Sequence, residues 1–315
     1  MEENDIGRAL EYAVSITIAE HARRQGITVS YSVRAASDNK RDAVNFALLV
    51  SSRQEDFLLC GAVFCGWLDK RGYLKHAITL EIDRLPDSAG VGGDVTDFTL
   101  RIAYLRGKTR FYRFSLKNTH NALKHPRLTR FPKDCGVTSP GIVAKYKKEH
   151  DKIWLDFFAK IKSLCPNATL VKHVKAVSPS FVEDNLYVPF NKLIMAFLNG
   201  NVNNPINARI LFTFLVTSST DYIGIKNEKH QVLIKHFNGI SLPSGLKVSR
   251  KPNNKTTFFV EFDNGWTLSF RLHTASSHLY TKTGKKHRSV KYDVQSVDLD
   301  KAIRVEVLSK QLAPS

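Results

Sequence analysis

Two alternating runs, DFTLRIAY at 97–104 and TRFYRFSLK at 109–117, flank the short segment LRGK, and together they leave this stretch one local structure. A strand points successive side chains to opposite faces, so a period of two is compatible with a strand and not with a helix. Gly107 supplies the backbone freedom for a tight turn, and the two runs close into a β-hairpin. A turn centred on Gly107 places Asp97 opposite Lys117 and Thr99 opposite Ser115. Opposed residues share a face, so Asp97, Thr99, Arg101, Arg113, Ser115 and Lys117 make a polar face. Phe98, Leu100, Ile102, Tyr112, Phe114 and Leu116 then face a core.

A carboxylate beside a lysine on adjacent strands, behind a loop that carries Asp94, admits two readings. One is a surface cross-strand ion pair, worth under ~1 kcal/mol. The other is a site for metal-dependent phosphodiester hydrolysis. There, carboxylates hold Mg²⁺ through oxygen, the ion acidifies a bound water, and an ammonium orients that water or offsets phosphate charge.

Around the hairpin, residues 4–26 read as a helix with Ile6, Leu10, Ala13, Val14 and Ile18 on one face and Gly26 as its stop. At about 100° per residue, Glu11 lies at the edge of that apolar face and Glu20 inside it. Further helices are expected at 38–52, 56–68, 142–164 and near 190–200, with a strand at 78–82. From roughly residue 176 the pattern becomes short alternating runs, with Asn264-Gly265 as a hairpin turn. The expected organisation is therefore a core at 1–175 that carries the hairpin and an antiparallel β-rich lobe at 176–315.

Lys and Arg outnumber Asp and Glu by 47 to 29, a net charge of +18 spread over many segments, which points to a polyanionic partner or to a basic solvated surface. In a chain of 315 residues with 43% hydrophobic content there is ample material for a packed core. Cys60, Cys65, Cys135 and Cys165 have neither zinc-ribbon nor disulfide-framework spacing. No basic and apolar leader pattern opens the chain and no apolar run nears the ~18 residues of a membrane span, so an intracellular, cytoplasmic protein is expected.

Two basic stretches follow the pattern of nucleic-acid contacts. In NTHNALKHPRL, directly after Lys117, the residues Asn118, His120, Lys124, His125 and Arg127 either touch phosphates near a scissile bond or form a solvated loop. In the C-terminal lobe, Arg271, His273, Ser276, Ser277, Lys285, Lys286 and Arg288 are interleaved with aromatics, with Arg271 and His273 alternating with the core positions Phe270 and Leu272. Such side chains read base edges in the major groove, and the same pattern would serve a dimer interface.

Four blocks carry a resemblance. NDIGRALEY at 4–12, GGDVTDF at 92–98, SLKNTHNALKHPRL at 115–128, and LSFRLHTASS with SVKYDVQ at 268–295 together resemble the HaeIII family of type II restriction endonucleases. The resemblance implies a PD-(D/E)xK nuclease fold, that is, a mixed α/β (α+β) architecture with a helix-flanked mixed sheet and the catalytic groups on a hairpin. One departure is plain: the nuclease pattern has an acidic residue two before its lysine, and here that position is Ser115. A serine cannot supply a carboxylate's charge, so the second ligand must come from Glu11, Asp94 or Glu81, and Glu11 is preferred because it lies in a resembling block on a face that packs against the sheet.

The expected function is that of a Mg²⁺-dependent endonuclease cutting a short specific duplex DNA sequence as a homodimer. Asp97, Glu11 and Asp94 are the metal candidates, and Lys117 and Ser115 complete the catalytic set. The resemblance adds GGCC as target, blunt ends and a partner methyltransferase that protects host DNA. The alternative is a basic, non-catalytic DNA- or RNA-binding protein in which the hairpin is structural.

Overall fold

The computed structural model describes residues 3–85, 96–105, 107–118, 122–216, 221–274, 278–281, 283–288, 290–297, 301 and 303–310. In chain order its first elements are α1 (Glu3–Arg24), β1 (Thr28–Tyr31), α2 (Val33–Ala47), α3 (Ser51–Lys70), β2 (Ala77–Arg84), β3 (Phe98–Tyr104) and β4 (Thr109–Asn118). They are followed by β5 (Ala122–Lys124), α4 (Phe131–Asp134), α5 (Pro140–Leu164), α6 (Val171–Val177), α7 (Val188–Phe197) and α8 (Pro205–Val216). The last are β6 (Tyr222–Asn227), β7 (Gln231–Phe237), β8 (Leu246–Arg250), β9 (Thr257–Phe262), β10 (Thr267–Thr274), β11 (Val290–Ser296) and β12 (Arg304–Ser309). The architecture is mixed α/β, with a mixed sheet and a separate antiparallel one.

These elements gather into two compact units, and neither is a single stretch of chain. The first comprises residues 1–121, 217–240 and 303–315, and the second comprises 122–216 and 241–302. Residue 175, the expected boundary, falls inside α6 of the second unit.

In the first unit, a seven-stranded sheet has the order β1-β2-β3-β4-β6-β7-β12. Pairs β1–β2 and β4–β6 are parallel and the other pairs antiparallel. One face is built as the sequence pattern requires: Leu80, Ile82, Phe98, Leu100, Ile102, Phe114, Leu116, Ile223 and Ile225 are buried against Leu10, Val14 and Ile18 of α1 and Phe57, Phe64 and Trp67 of α3. Helices α1 and α3 approach so closely that a Cβ on Gly61 would lie 2.7 Å from Thr17 Cβ, which only glycine avoids. Glu20, expected inside the apolar face of α1, is exposed and sits within 3.6 Å of Arg24 one turn on.

Helix α2 begins at Val33, five residues before the expected start at Asp38, because Ser32 accepts a hydrogen bond from the Ala35 amide (3.1 Å) and caps it. It stops at Ala47, and α3 starts afresh at Ser51, so the expected single helix to Ser52 is divided.

The hairpin has the expected faces and a different register. Phe98 pairs with Phe114, Thr99 with Arg113 and Leu100 with Tyr112, two residues displaced from a turn centred on Gly107. The cause is the loop: the Tyr104 amide donates to Lys108 O (2.9 Å) and the Gly107 amide to Tyr104 O (2.9 Å), so Gly107, at φ 73°, sits late in the turn. A shift of two preserves which side chains share a face.

In the second unit, a five-stranded antiparallel sheet has the order β5-β11-β10-β9-β8. Phe258, Phe270 and Tyr292 stack and cross on its inner face, with ring centroids 5.0 to 5.5 Å apart. The expected Asn264-Gly265 turn is present: Gly265 has φ 90° and the Phe262 amide donates to Trp266 O (2.7 Å).

Candidate active site and nucleic-acid face

Asp97 occupies the last position before β3. Its amide donates to Phe114 O (2.8 Å) and its carbonyl accepts from the Leu85 amide (3.0 Å), so the backbone is fixed between two strands. The carboxylate Oδ2 accepts from the Leu116 amide (2.5 Å) and from Ser115 Oγ (3.1 Å), and Lys117 Nζ stands 3.5 Å away. Ser115 is buried at 4% exposure, so the residue at the pattern's missing acidic position acts here as a donor that orients Asp97. Lys117 keeps an exposed end, with 38% of its side chain accessible.

Glu11 joins this group from α1. Burial first and the charge of Asp97 second push its carboxyl up to about 7, against the lowering effects of Arg84 and Lys117. Arg84, 3% exposed on β2, hydrogen-bonds Glu11 with one amino nitrogen and reaches Asp42 Oδ2 at 2.8 Å and Asn39 Oδ1 at 3.2 Å with the other. Glu81 belongs elsewhere: it pairs with Arg101 in register, and their side chains meet at 3.3 Å. Asp94 lies outside the described residues.

Among the described residues no three His, Cys, Asp or Glu side chains gather at one point. Two carboxylates that repel one another, Glu11 and Asp97, are what this site offers. Mg²⁺ keeps several waters and takes one or two protein carboxylates, so the residues present fit it.

Lys226 on β6 is the register partner of Lys117 across the parallel β4–β6 pair and shares its face. It is 8% exposed and its ammonium is 2.6 Å from Glu228 Oε1. Sequence reasoning did not find it, because nothing local to β4 announces which distant strand will lie beside it.

The remaining expected contacts divide. Asn118 turns to the opposite face of β4 from Lys117, where its Oδ1 accepts from Asn227 Nδ2 (3.3 Å) beside Asp56. Strand alternation thus places Asn118 and Lys117 on opposite faces of β4. The Lys124 ammonium is buried over the Phe214 ring, 4.6 Å from its centroid. His120, Ser276 and Ser277 lie outside the described residues.

On the outer face of the second unit's sheet, Arg271 of β10 pairs with Asp293 of β11, and His273 with Lys291. Arg271 is exposed, and Arg127 is bridged to Lys291 from the segment after β5. Burial lowers the His273 pKa, and Lys291 lowers it further. His125 stands edge-on to His273 (6.5 Å) with Nδ1 at 3.8 Å from Asp293 Oδ1. Asp293, also missed in the sequence, accepts from Gln295 Nε2 on Oδ2 (2.8 Å), while its Oδ1 has no hydrogen-bond partner among the described residues. Lys285 is exposed, Lys286 lies over Phe158 (5.1 Å), and Arg288 is 3.9 Å from Asp151.

Residues 223–300 match the family model of the HaeIII restriction endonuclease, a span that runs from β6 into the segment before β12 and bears out the resemblance there. No curated protein matches the chain.

Proposed function

We propose that this protein is a type II restriction endonuclease of the bacterial cytoplasm, hydrolysing phosphodiester bonds at a short sequence in duplex DNA with Mg²⁺ as cofactor. The first unit is read as the nuclease core, of PD-(D/E)xK type, and the second as the recognition module. GGCC cut to blunt ends, a homodimer acting on the palindrome and a methyltransferase as the system's other component are the family's properties extended to this chain.

The observation that carries the reading is the clustering of Asp97, Ser115 and Lys117 on one hairpin, with Glu11 close enough to feel the charge of Asp97. Glu11 and Asp97 would hold the ion, and Ser115 and the Leu116 amide fix the direction of the Asp97 carboxylate. When bound, Mg²⁺ supplies electrostatic stabilisation of the charge that builds on the phosphate and lowers the pKa of a coordinated water. Lys117 presents an ammonium beside Asp97, placed to orient the attacking water and to offset phosphate charge. Arg271, His273, Arg127 and His125 face the duplex from the second unit, with Arg271 reading guanine.

Digestion of a plasmid of known sequence tests this directly. Discrete fragments formed with Mg²⁺ and absent with EDTA are expected. Binding without any cleavage across divalent metals would instead establish the non-catalytic alternative.

A further inference from the structure

A cleft of about 660 Å³ opens in the second unit between α7 and the β8–β9 hairpin, and none of the residues considered above for binding lines it. Its walls carry Lys192, Arg250, Lys251 and Lys255, four cations, against the single carboxylate of Asp184. Asp184 is already engaged by Lys255 at 3.0 Å. Among the described residues no carboxylate lies within ion-pair distance of Lys192, Arg250 or Lys251, and Lys251 stands over the Phe259 ring at 6.0 Å. Like charges gathered around a concavity repel one another, and an anion in the cleft removes that cost. At the hairpin tip Asn253 adopts φ 55°, and Asn254 Oδ1 accepts from the Thr256 amide (2.9 Å), which holds the turn.

Position decides which anion. Thr257, in the cleft wall, is the register partner of Arg271 across β9–β10, and the Leu272 amide donates to Thr256 O (3.0 Å). The cleft therefore lies at the end of the sheet where Arg271 sits, with Lys251 beside Thr257, whose register partner is Arg271, and Arg250 in register with Phe258 on the opposite face. We infer that the β8–β9 cleft binds backbone phosphates of the duplex that Arg271 reads, with Lys192, Arg250 and Lys251 as the phosphate contacts. This rests on the restriction-endonuclease reading for its ligand, and it adds a site that carries affinity without sequence information.

The test is the salt dependence of binding to the duplex that the parent cleaves, and to a scrambled duplex, in Ca²⁺. The Lys192→Ala, Arg250→Ala, Lys251→Ala triple variant alters exposed side chains only. Each lost phosphate contact should reduce the slope of log K against log salt by about 0.9, so the triple should lose about 2.7, with the ratio of cleaved to scrambled affinity unchanged. The triple Lys192→Arg, Arg250→Lys, Lys251→Arg should restore the parental slope. A parental slope in the alanine variant overturns the inference, as does a fall in the specificity ratio, which would make the cleft a base reader. Slope loss on single-stranded RNA but not on duplex DNA also overturns it. A parent that binds no duplex at all overturns the endonuclease reading itself, a result distinguishable from each of these.

Discussion

Arg84 on β2 fastens Glu11 on α1 by a hydrogen bond from a buried guanidinium, while the same guanidinium reaches the fully buried Asp42. The Glu11 carboxylate is thus held in place by the fold and still resists ionisation, because burial and Asp97 outweigh the cation behind it.

That balance gives a pH signature in metal-free protein. Glu11 is raised from 4.5 to about 7, so the folded state holds its proton more tightly than the unfolded chain. Its contribution to stability is complete below 4.5 and is lost as pH rises through about 7, by up to about 3 kcal/mol. Urea unfolding in EDTA at pH 5 and pH 8 should show the decline, and Glu11→Gln should flatten it. Adding Mg²⁺ at pH 8 should raise the parental midpoint and leave that of Glu11→Gln nearly unmoved. A parental midpoint indifferent to Mg²⁺ would remove Glu11 and Asp97 from the metal site.

Asp97→Asn and Lys117→Ala should each abolish cleavage while specific binding stays near the parental level, because neither side chain contributes to the buried apolar face. Gel shifts in Ca²⁺ and digests in Mg²⁺ measure the two properties separately. Near-parental cutting by either variant would reduce that residue to an ordinary hairpin neighbour. Ser115→Ala should slow cleavage less than these two, since the Leu116 amide still holds the Asp97 carboxylate.

Arg271→Ala should cost about 1–3 kcal/mol on the cleaved sequence relative to a mismatched one. Asp293→Asn turns one acceptor beside Arg271 into a donor, so competition binding against duplexes changed one base pair at a time should show altered preference at a single position. Uniform weakening on all duplexes would assign both residues to backbone contact or to structure.

Glu306 on β12 predicts an acid-sensitive edge. Burial alone would raise its carboxyl, yet Arg71 (2.5 Å), His236 (2.6 Å) and the Trp67 indole (3.3 Å) hold it at about 2. A depressed carboxyl contributes stability above the unfolded value of 4.5, and that contribution disappears as pH falls through about 2. Glu306→Gln should cost about 1–2 kcal/mol at pH 7 and lessen the steepness of acid unfolding followed by tryptophan fluorescence.

The hairpin's faces were legible because a period of two fixes side-chain direction whatever the register; the register was not, because it depends on hydrogen bonds at Tyr104 and Lys108 that residue type does not dictate. Asp97, Ser115 and Lys117 could be grouped from sequence for the same reason. Lys226 and Asp293 could not, since their neighbours Lys117 and Arg271 come from separate strands whose pairing is decided by the whole sheet. Nothing in a basic residue next to a basic run marks that the Lys124 ammonium will lie over Phe214. The start of α2 escaped because Val33, 91% exposed, breaks the apolar periodicity that signals a helix, leaving Ser32 as the sole cue.

The strand β4 that carries Ser115 and Lys117 acquires its second neighbour, β6, only after the chain has passed through residues 122–216. During synthesis it emerges with one edge open and must wait for most of the protein before its sheet can close. Pairing between such distant segments is slow relative to local hairpin closure. A truncated product ending before residue 222 therefore lacks the strand that pairs with β4 beside Lys117, and a chain terminated there should show no Mg²⁺-dependent cleavage of plasmid DNA. Late pairing of β4 with β6 thus ties completion of the sheet around Lys117 to translation of most of the chain.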